Sequence, residues 1–258
     1  MPDSGSRRHV SLAEVRGADC AVCPHRETRL ATGRCAPGDA CLVVESGRQI
    51  DRFLRQNPDL AESCLTDPFW ERRAIAVRYA PVEAIGDLAR DPDEVVRRAV
   101  ALRLPVVGLA ALIRDPDREV RITVAARLPP ERLEGCLHDP DYMVRQRVAE
   151  RLPHGRLTRL VQDPEREVRK EVARRLPAFA LGRMAADMDA EVRAIAAARM
   201  LPDDAARLLA DPEWRVRLAA VERAPLAALS PLLDDPDQDV RERVRARLSE
   251  LPHAKEAP

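Results

Sequence analysis

Four cysteines carry the clearest chemistry in this chain. Cys20 and Cys23 stand three apart, Cys35 and Cys41 follow, and the pattern reads C-x₂-C-x₁₁-C-x₅-C. Two cysteines at the first spacing can chelate one centre from a tight turn. Gly33 and the Pro37-Gly38 pair let the other two fold back toward it. Four thiolates suit either a tetrahedral zinc ion or an iron–sulfur cluster. Spacing alone leaves both open: zinc sites usually bring two tight pairs and this has one, while Pro24 after Cys23 echoes the Cys-Pro of bacterial ferredoxins. With six cysteines unevenly clustered and no export signal at the start, metal ligation is expected over disulfides, in a cytoplasmic protein.

The elements that must position this loop are legible downstream, where one motif is copied. Asp163 to Pro177 reads DPEREVRKEVARRLP. The Asp-Pro pair recurs at Asp67, Asp91, Asp115, Asp139, Asp163, Asp211 and Asp235, with Asp187-Met188 in the gap, always at 24-residue intervals. Eight such units fill residues 67–258, a tandem array. Asp as N-cap and Pro in the first turn predict a helix start at each pair. Counting that Asp as zero, +5 is Val from Val96 to Val240 (Arg72 in the first unit), +9 is Ala or Val, and +13 is mostly Leu before a helix-ending Pro. Position +10 is small (Ala101, Ala125, Ala149, Ala173, Ala197), which lets a neighbouring helix approach. Two more apolar columns follow, Ile85, Leu109, Leu133, Leu157, Leu181, Leu229 and Leu88, Leu112, Leu160, Leu208, Leu232. Their spacing of three suits a short 3₁₀ or α turn. Cys64 and Cys136 fall in the second column and read as small buried hydrophobes.

This pattern, LPxxxLxxLxxDPDxEVRxxVAxR, resembles the leucine-rich repeat variant family over residues 67–258. HEAT repeats share some residues but need two full helices in about 40. The resemblance implies an all-α fold, a right-handed superhelical solenoid of 24-residue repeats, each an α-helix plus a short 3₁₀ helix, with a small N-terminal iron–sulfur segment. It also implies that Cys20, Cys23, Cys35 and Cys41 hold a [4Fe–4S] cluster, with zinc as the alternative. Such a cluster with four thiolates carries a charge of about −2, which Arg16, Arg26, Arg29 and Arg34 would offset. Residues 1–45 then form the cysteine-rich segment and 46–66 a degenerate bridging unit, with a helix near Ser46–Gln56 and Asn57-Pro58 as its break.

Two surface features invite a binding reading. Arginine occupies +6 in every unit (Arg73, Arg145 and Arg217 among them) and +12 in seven. A basic track would suit nucleic acid, but 43 basic residues balance 43 acidic ones. The acid at +2 lies four residues before the +6 Arg and is expected to pair with it. Inter-unit salt bridges are therefore the favoured role. Trp70, Tyr142 and Trp214 all stand at +3, three units apart, and are candidate contacts for a protein partner. No membrane span and no catalytic motif appears, and no enzyme activity is expected. The expected role is a protein-interaction scaffold with a structural or redox-sensing cluster; the alternatives are an electron carrier or redox-responsive regulator, and nucleic-acid binding through the arginines.

Overall fold

The helix of each repeat starts three residues after the Asp expected to cap it, because two acids divide the capping between them. In the computed structural model, which describes residues 18–249, Asp115 Oδ1 accepts from the backbone N–H of Asp117 at 2.9 Å. Asp117 is the N-cap: its Oδ1 accepts from Glu119 N at 2.9 Å and Val120 N at 3.0 Å. Asp189 repeats both bonds, and Asp93 makes the first of them, to Val95 N. Where the +2 acid is Asp it therefore serves the orphan N–H groups of the first turn instead of the +6 Arg, because its short side chain reaches them directly.

The chain divides into two compact units, one ending at Leu128 and one beginning at Pro129. The first holds α1 (Gly47–Gln56), α2 (Trp70–Tyr79), α3 (Glu94–Arg103) and α4 (Arg118–Arg127), each packed on the next. The second holds α5 (Tyr142–Ala149), α6 (Arg166–Arg175), α7 (Ala190–Ala197), the short α8 (Pro202–Ala206), α9 (Trp214–Val221) and α10 (Gln238–Ser249). Here α6 packs between α5 and α7, and α9 between α7 and α10. Short 3₁₀ helices alternate with them, as at Gly108–Leu112 and His154–Leu160. Among the described residues no strand forms beyond one isolated bridge between Ala36 and Ala40, and no helix is long and apolar enough to cross a membrane.

The core is the repeat pattern made solid. Val96, Val100 and Ala101 in one helix, and Val168, Val172 and Ala173 in another, are fully buried. So are Ile85, Leu109, Leu133, Leu157, Leu181 and Leu229 from the 3₁₀ segments. Neither element could bury its face alone, and stacking supplies the missing side. Cys64 and Cys136 are buried in this second layer, as their column requires. The irregular unit at 187–210 keeps the core by substitution: Met200 and Ala205 are fully buried in place of the usual leucines, and Leu201-Pro202 opens α8. Met188, which replaces the turn proline, is exposed.

Within each compact unit the arginine columns stitch repeat to repeat. Arg73 pairs with Asp91, Arg97 with Asp115, Arg145 with Asp163, Arg169 with Asp187, Arg193 with Asp211 and Arg217 with Asp235. Each pair joins a +6 guanidinium to the first Asp of the following unit. The same guanidinium also donates to the backbone carbonyl of its own unit's first Asp, as Arg145 Nη1 does to Asp139 O at 2.7 Å. The +12 arginines reach the other way. Arg103 Nη1 donates to Ala80 O at 2.6 Å, Arg199 Nη1 to Leu176 O at 3.0 Å and Arg247 Nη1 to Ala224 O at 2.9 Å. They close the C-terminal carbonyls of the preceding helix, which have no partner inside it.

Arg72 departs from the valine of its column to neutralise Asp67. Asp67 opens the first full unit, and Ile50 and its neighbours in α1 offer no arginine to it. Arg72 stands where later units have Val and supplies that charge from within the unit, with Nη1 2.7 Å from both carboxylate oxygens of Asp67.

Candidate metal centre

The cysteine loop is shaped by two glycines and one irregular helical turn. Arg26–Leu30 forms a five-residue π turn, with Leu30 N donating to His25 O at 3.1 Å. Gly33 and Gly38 take φ of 72° and 81°, the left-handed region that other residues adopt at a cost. These turns reverse the chain on either side of Cys35. Cys35 Sγ lies 3.4 Å from Ala40 O.

Cys20, Cys23 and Cys35 are partly exposed, and Cys41 is buried. Burial pushes the Cys35 thiol up from its ordinary value, and the charges of Cys41, Cys23 and Cys20 push it further. The other three sulfurs therefore lie near enough to Cys35 to disfavour its thiolate, the condition a bound cationic centre relieves. Among the described residues no three Cys, His, Asp or Glu side chains close to the spacing of a single ion's shell. An all-thiolate donor set on a turn with left-handed glycines fits a metal group, and fits an iron–sulfur centre in its ligand chemistry.

The loop is fastened to α1 and to the 3₁₀ turn that follows it by several contacts. The His25 ring lies 5.5 Å from that of fully buried Phe53. Cys41 N donates to Gln49 O at 3.1 Å. Ion pairs join Arg29 to Asp59 and Arg52 to Asp39. Arg29, expected to offset cluster charge, is thus engaged with a carboxylate, and Arg16 lies outside the described residues. Burial and the neighbouring Arg29 charge lower the affinity of His25 for a proton. Asn57, expected only as part of the break after α1, has a further role: its Nδ2 donates to Arg34 O at 2.8 Å and to Phe53 O at 2.9 Å. The available signal was Asn57-Pro58 standing where the repeats have Leu-Pro.

The other candidates divide. The guanidinium groups of Arg73, Arg145 and Arg217 are held inside the inter-unit ladder. Trp70 and Tyr142 are exposed at the first positions of α2 and α5. Trp214 opens α9 with the Arg215 guanidinium 4.8 Å above its ring.

Comparison with known proteins agrees with this division. Residues 16–63 match the family described as LRV protein FeS4 cluster. Residues 118–141, 166–189 and 214–237 match the leucine rich repeat variant. A solved structure described as a leucine-rich repeat variant with a novel repetitive protein structural motif is 60% identical. It covers 90% of this chain and 99% of its own, with a TM-score of 0.86. An uncharacterized 27.7 kDa protein in the nifB 3' region of Rhodobacter capsulatus is 40% identical over 86 residues. That match spans 33% of this chain and 35% of the relative. The repeats, the helical layers and the cysteine segment together show that the chain belongs to the leucine-rich repeat variant family.

Proposed function

We propose that this protein is an iron–sulfur repeat protein that serves as a protein-interaction scaffold, with Cys20, Cys23, Cys35 and Cys41 holding a [4Fe–4S] cluster. The observation that carries the reading is the loop itself: four cysteines on a short segment turned by left-handed Gly33 and Gly38 and fastened to α1. Residues 1–45 form the cluster segment, 46–66 the bridging unit and 67–258 the repeats. When bound, the cluster supplies a covalent staple to a segment too small to bury a core of its own. The protein's residues hold the loop: Gly33 and Gly38 turn it, and His25, Gln49 and Asp59 dock it.

The array offers a surface more than a chemistry. Six of its +6 arginines are paired with aspartates, which breaks up the basic track a phosphate backbone would need and weighs against nucleic acid as partner. Trp70, Tyr142 and Trp214 remain as half-covered aromatics at helix starts, the residue types that anchor protein partners. A photo-crosslinker placed at positions 70, 142 and 214 tests this in cells. Adducts to one protein that disappear on alanine substitution of the neighbouring aromatics support the scaffold; adducts spread evenly over many proteins contradict it.

A redox-sensing or electron-carrying role is the second reading. It is favoured by the partial exposure of Cys20, Cys23 and Cys35 beside the protruding Val22, which brings the ligand edge to solvent. A reversible midpoint within the physiological range supports it, and irreversible bleaching on reduction opposes it.

A further inference from the structure

The C-terminal carbonyls of the array's helices follow one rule. The +12 arginine of the next unit closes them: Arg103 on Val77 and Ala80, Arg127 on Ala101 and Leu104, Arg199 on Ala173 and Leu176. At α1 the rule is broken. The residue in that column is Tyr79, and its hydroxyl donates instead to Asp51 Oδ1 at 2.9 Å. No arginine therefore reaches the end of α1 from the +12 column. At this end the backbone N–H of Asn57 and its Nδ2 both donate to Phe53 O, at 3.0 and 2.9 Å. The other Nδ2 hydrogen goes to Arg34 O at 2.8 Å, one residue before Cys35.

The rest of the Asn57 environment argues that this second bond is the reason for the residue. Asn57 is fully buried, and among the described residues its Oδ1 meets no hydrogen-bond donor. A buried acceptor left unmade is unfavourable. Leucine, which the repeats use before their proline, would avoid that penalty. What leucine cannot do is donate to a carbonyl of the cysteine loop.

We propose that Asn57 is a positioning residue for the metal centre: where no +12 arginine reaches, its amide ties the last turn of α1 to the Cys35 limb of the loop and holds that limb in register. Array and loop are thereby joined at the shared side chain, so order at the end of α1 and retention of the centre rise and fall together. This inference rests on the cluster reading given above.

The test uses the full-length protein purified anaerobically, as wild type, Asn57→Leu, Asn57→Asp and Val172→Ala. Asn57→Leu restores the repeat's own residue and keeps the fold of the array; Asn57→Asp keeps size and loses both donors. Val172→Ala opens a cavity remote in sequence and serves as a control for general loosening. Iron and sulfide content, the rate of iron release to a ferrous chelator and the EPR spectrum after reduction are recorded for each. Both Asn57 variants are expected to release iron about tenfold faster than wild type and to show a changed EPR line shape. Val172→Ala is expected to lose melting temperature with the release rate and spectrum unchanged. Release and spectrum at wild-type values in both Asn57 variants overturn the inference and leave the cluster reading standing. Equal acceleration in Val172→Ala at a matched loss of melting temperature also overturns it. A wild-type protein without iron and sulfide overturns the cluster reading, and the inference with it.

Discussion

Arg97 and Asp115, eighteen residues apart in the chain, meet through two parallel hydrogen bonds, Nε to Oδ2 at 2.7 Å and Nη2 to Oδ1 at 2.9 Å. The same guanidinium donates from Nη1 to Asp91 O at 2.8 Å, so one side chain fixes the start of two successive units. Asp115 in turn accepts from the backbone of Asp117. The planar fork of arginine fits this role and the lysine ammonium does not.

Breaking one rung leaves a buried charge without its partner. Arg145→Met is expected to cost about 3 kcal/mol, read as a lower urea midpoint and as faster amide exchange in α5 and α6. Adding Asp163→Leu should recover part of that loss. Recovery is incomplete because Asp163 Oδ1 also accepts from Glu165 N at 2.9 Å.

Acid should loosen the same rungs. Burial pushes the Asp91 and Asp211 carboxyls up, but hydrogen bonds from Arg73 and Arg193 outweigh it and hold both below the ordinary value. Asp235 is held low first by its bond from Arg217. A carboxyl depressed in the folded state contributes stability above its unfolded pKa of about 3.9 and loses it as pH falls toward the folded value. This contribution is therefore level from neutral pH down to about pH 5 and falls below about pH 4. Arg217→Met should flatten that fall by removing the rung at Asp235, measured by thermal melts across the pH series.

The helix caps give a prediction in the opposite direction. Glu165 is the N-cap of α6 and makes no side-chain cap bond, whereas Asp117 makes two. Glu165→Asp should stabilise the protein by about 0.5–1 kcal/mol, and Asp117→Ala should cost about 1 kcal/mol. Melting temperatures of the two variants against wild type check both signs.

The two repeat-column cysteines should be separable from the loop cysteines. Cys64→Ala and Cys136→Ala are expected to keep full metal content while losing about 1 kcal/mol from the core. Loss of metal in either would place a ligand outside the loop.

What was legible in the sequence followed from periodicity. A repeat that returns Val96, Val120, Val144 and Val168 to one column declares its buried stripe, and each is fully buried. The 3₁₀ columns and the α1 helix were legible for the same reason. The capping assignment was not: Asp115 and Asp117 are the same residue type two positions apart, and only backbone geometry decides which one meets the first turn. The partner of each +6 arginine was hidden likewise. The acid four residues before it is adjacent along the helix, but the Asp of the next unit is what stacking brings against it. Asn57 and Arg72 were visible as departures from the pattern, and their purpose depends on which carbonyl or carboxylate lies opposite.

The central claim is that the cysteine loop holds an iron–sulfur cluster joined to the array. It is tested most directly by iron, zinc and sulfide analysis with absorption and EPR spectra on anaerobically purified protein, beside Cys20→Ser and Cys41→Ser. About four iron and four sulfide per chain, lost in both variants with the helical repeats still folded, is the result this account predicts. Zinc at about one per chain with no sulfide would contradict it.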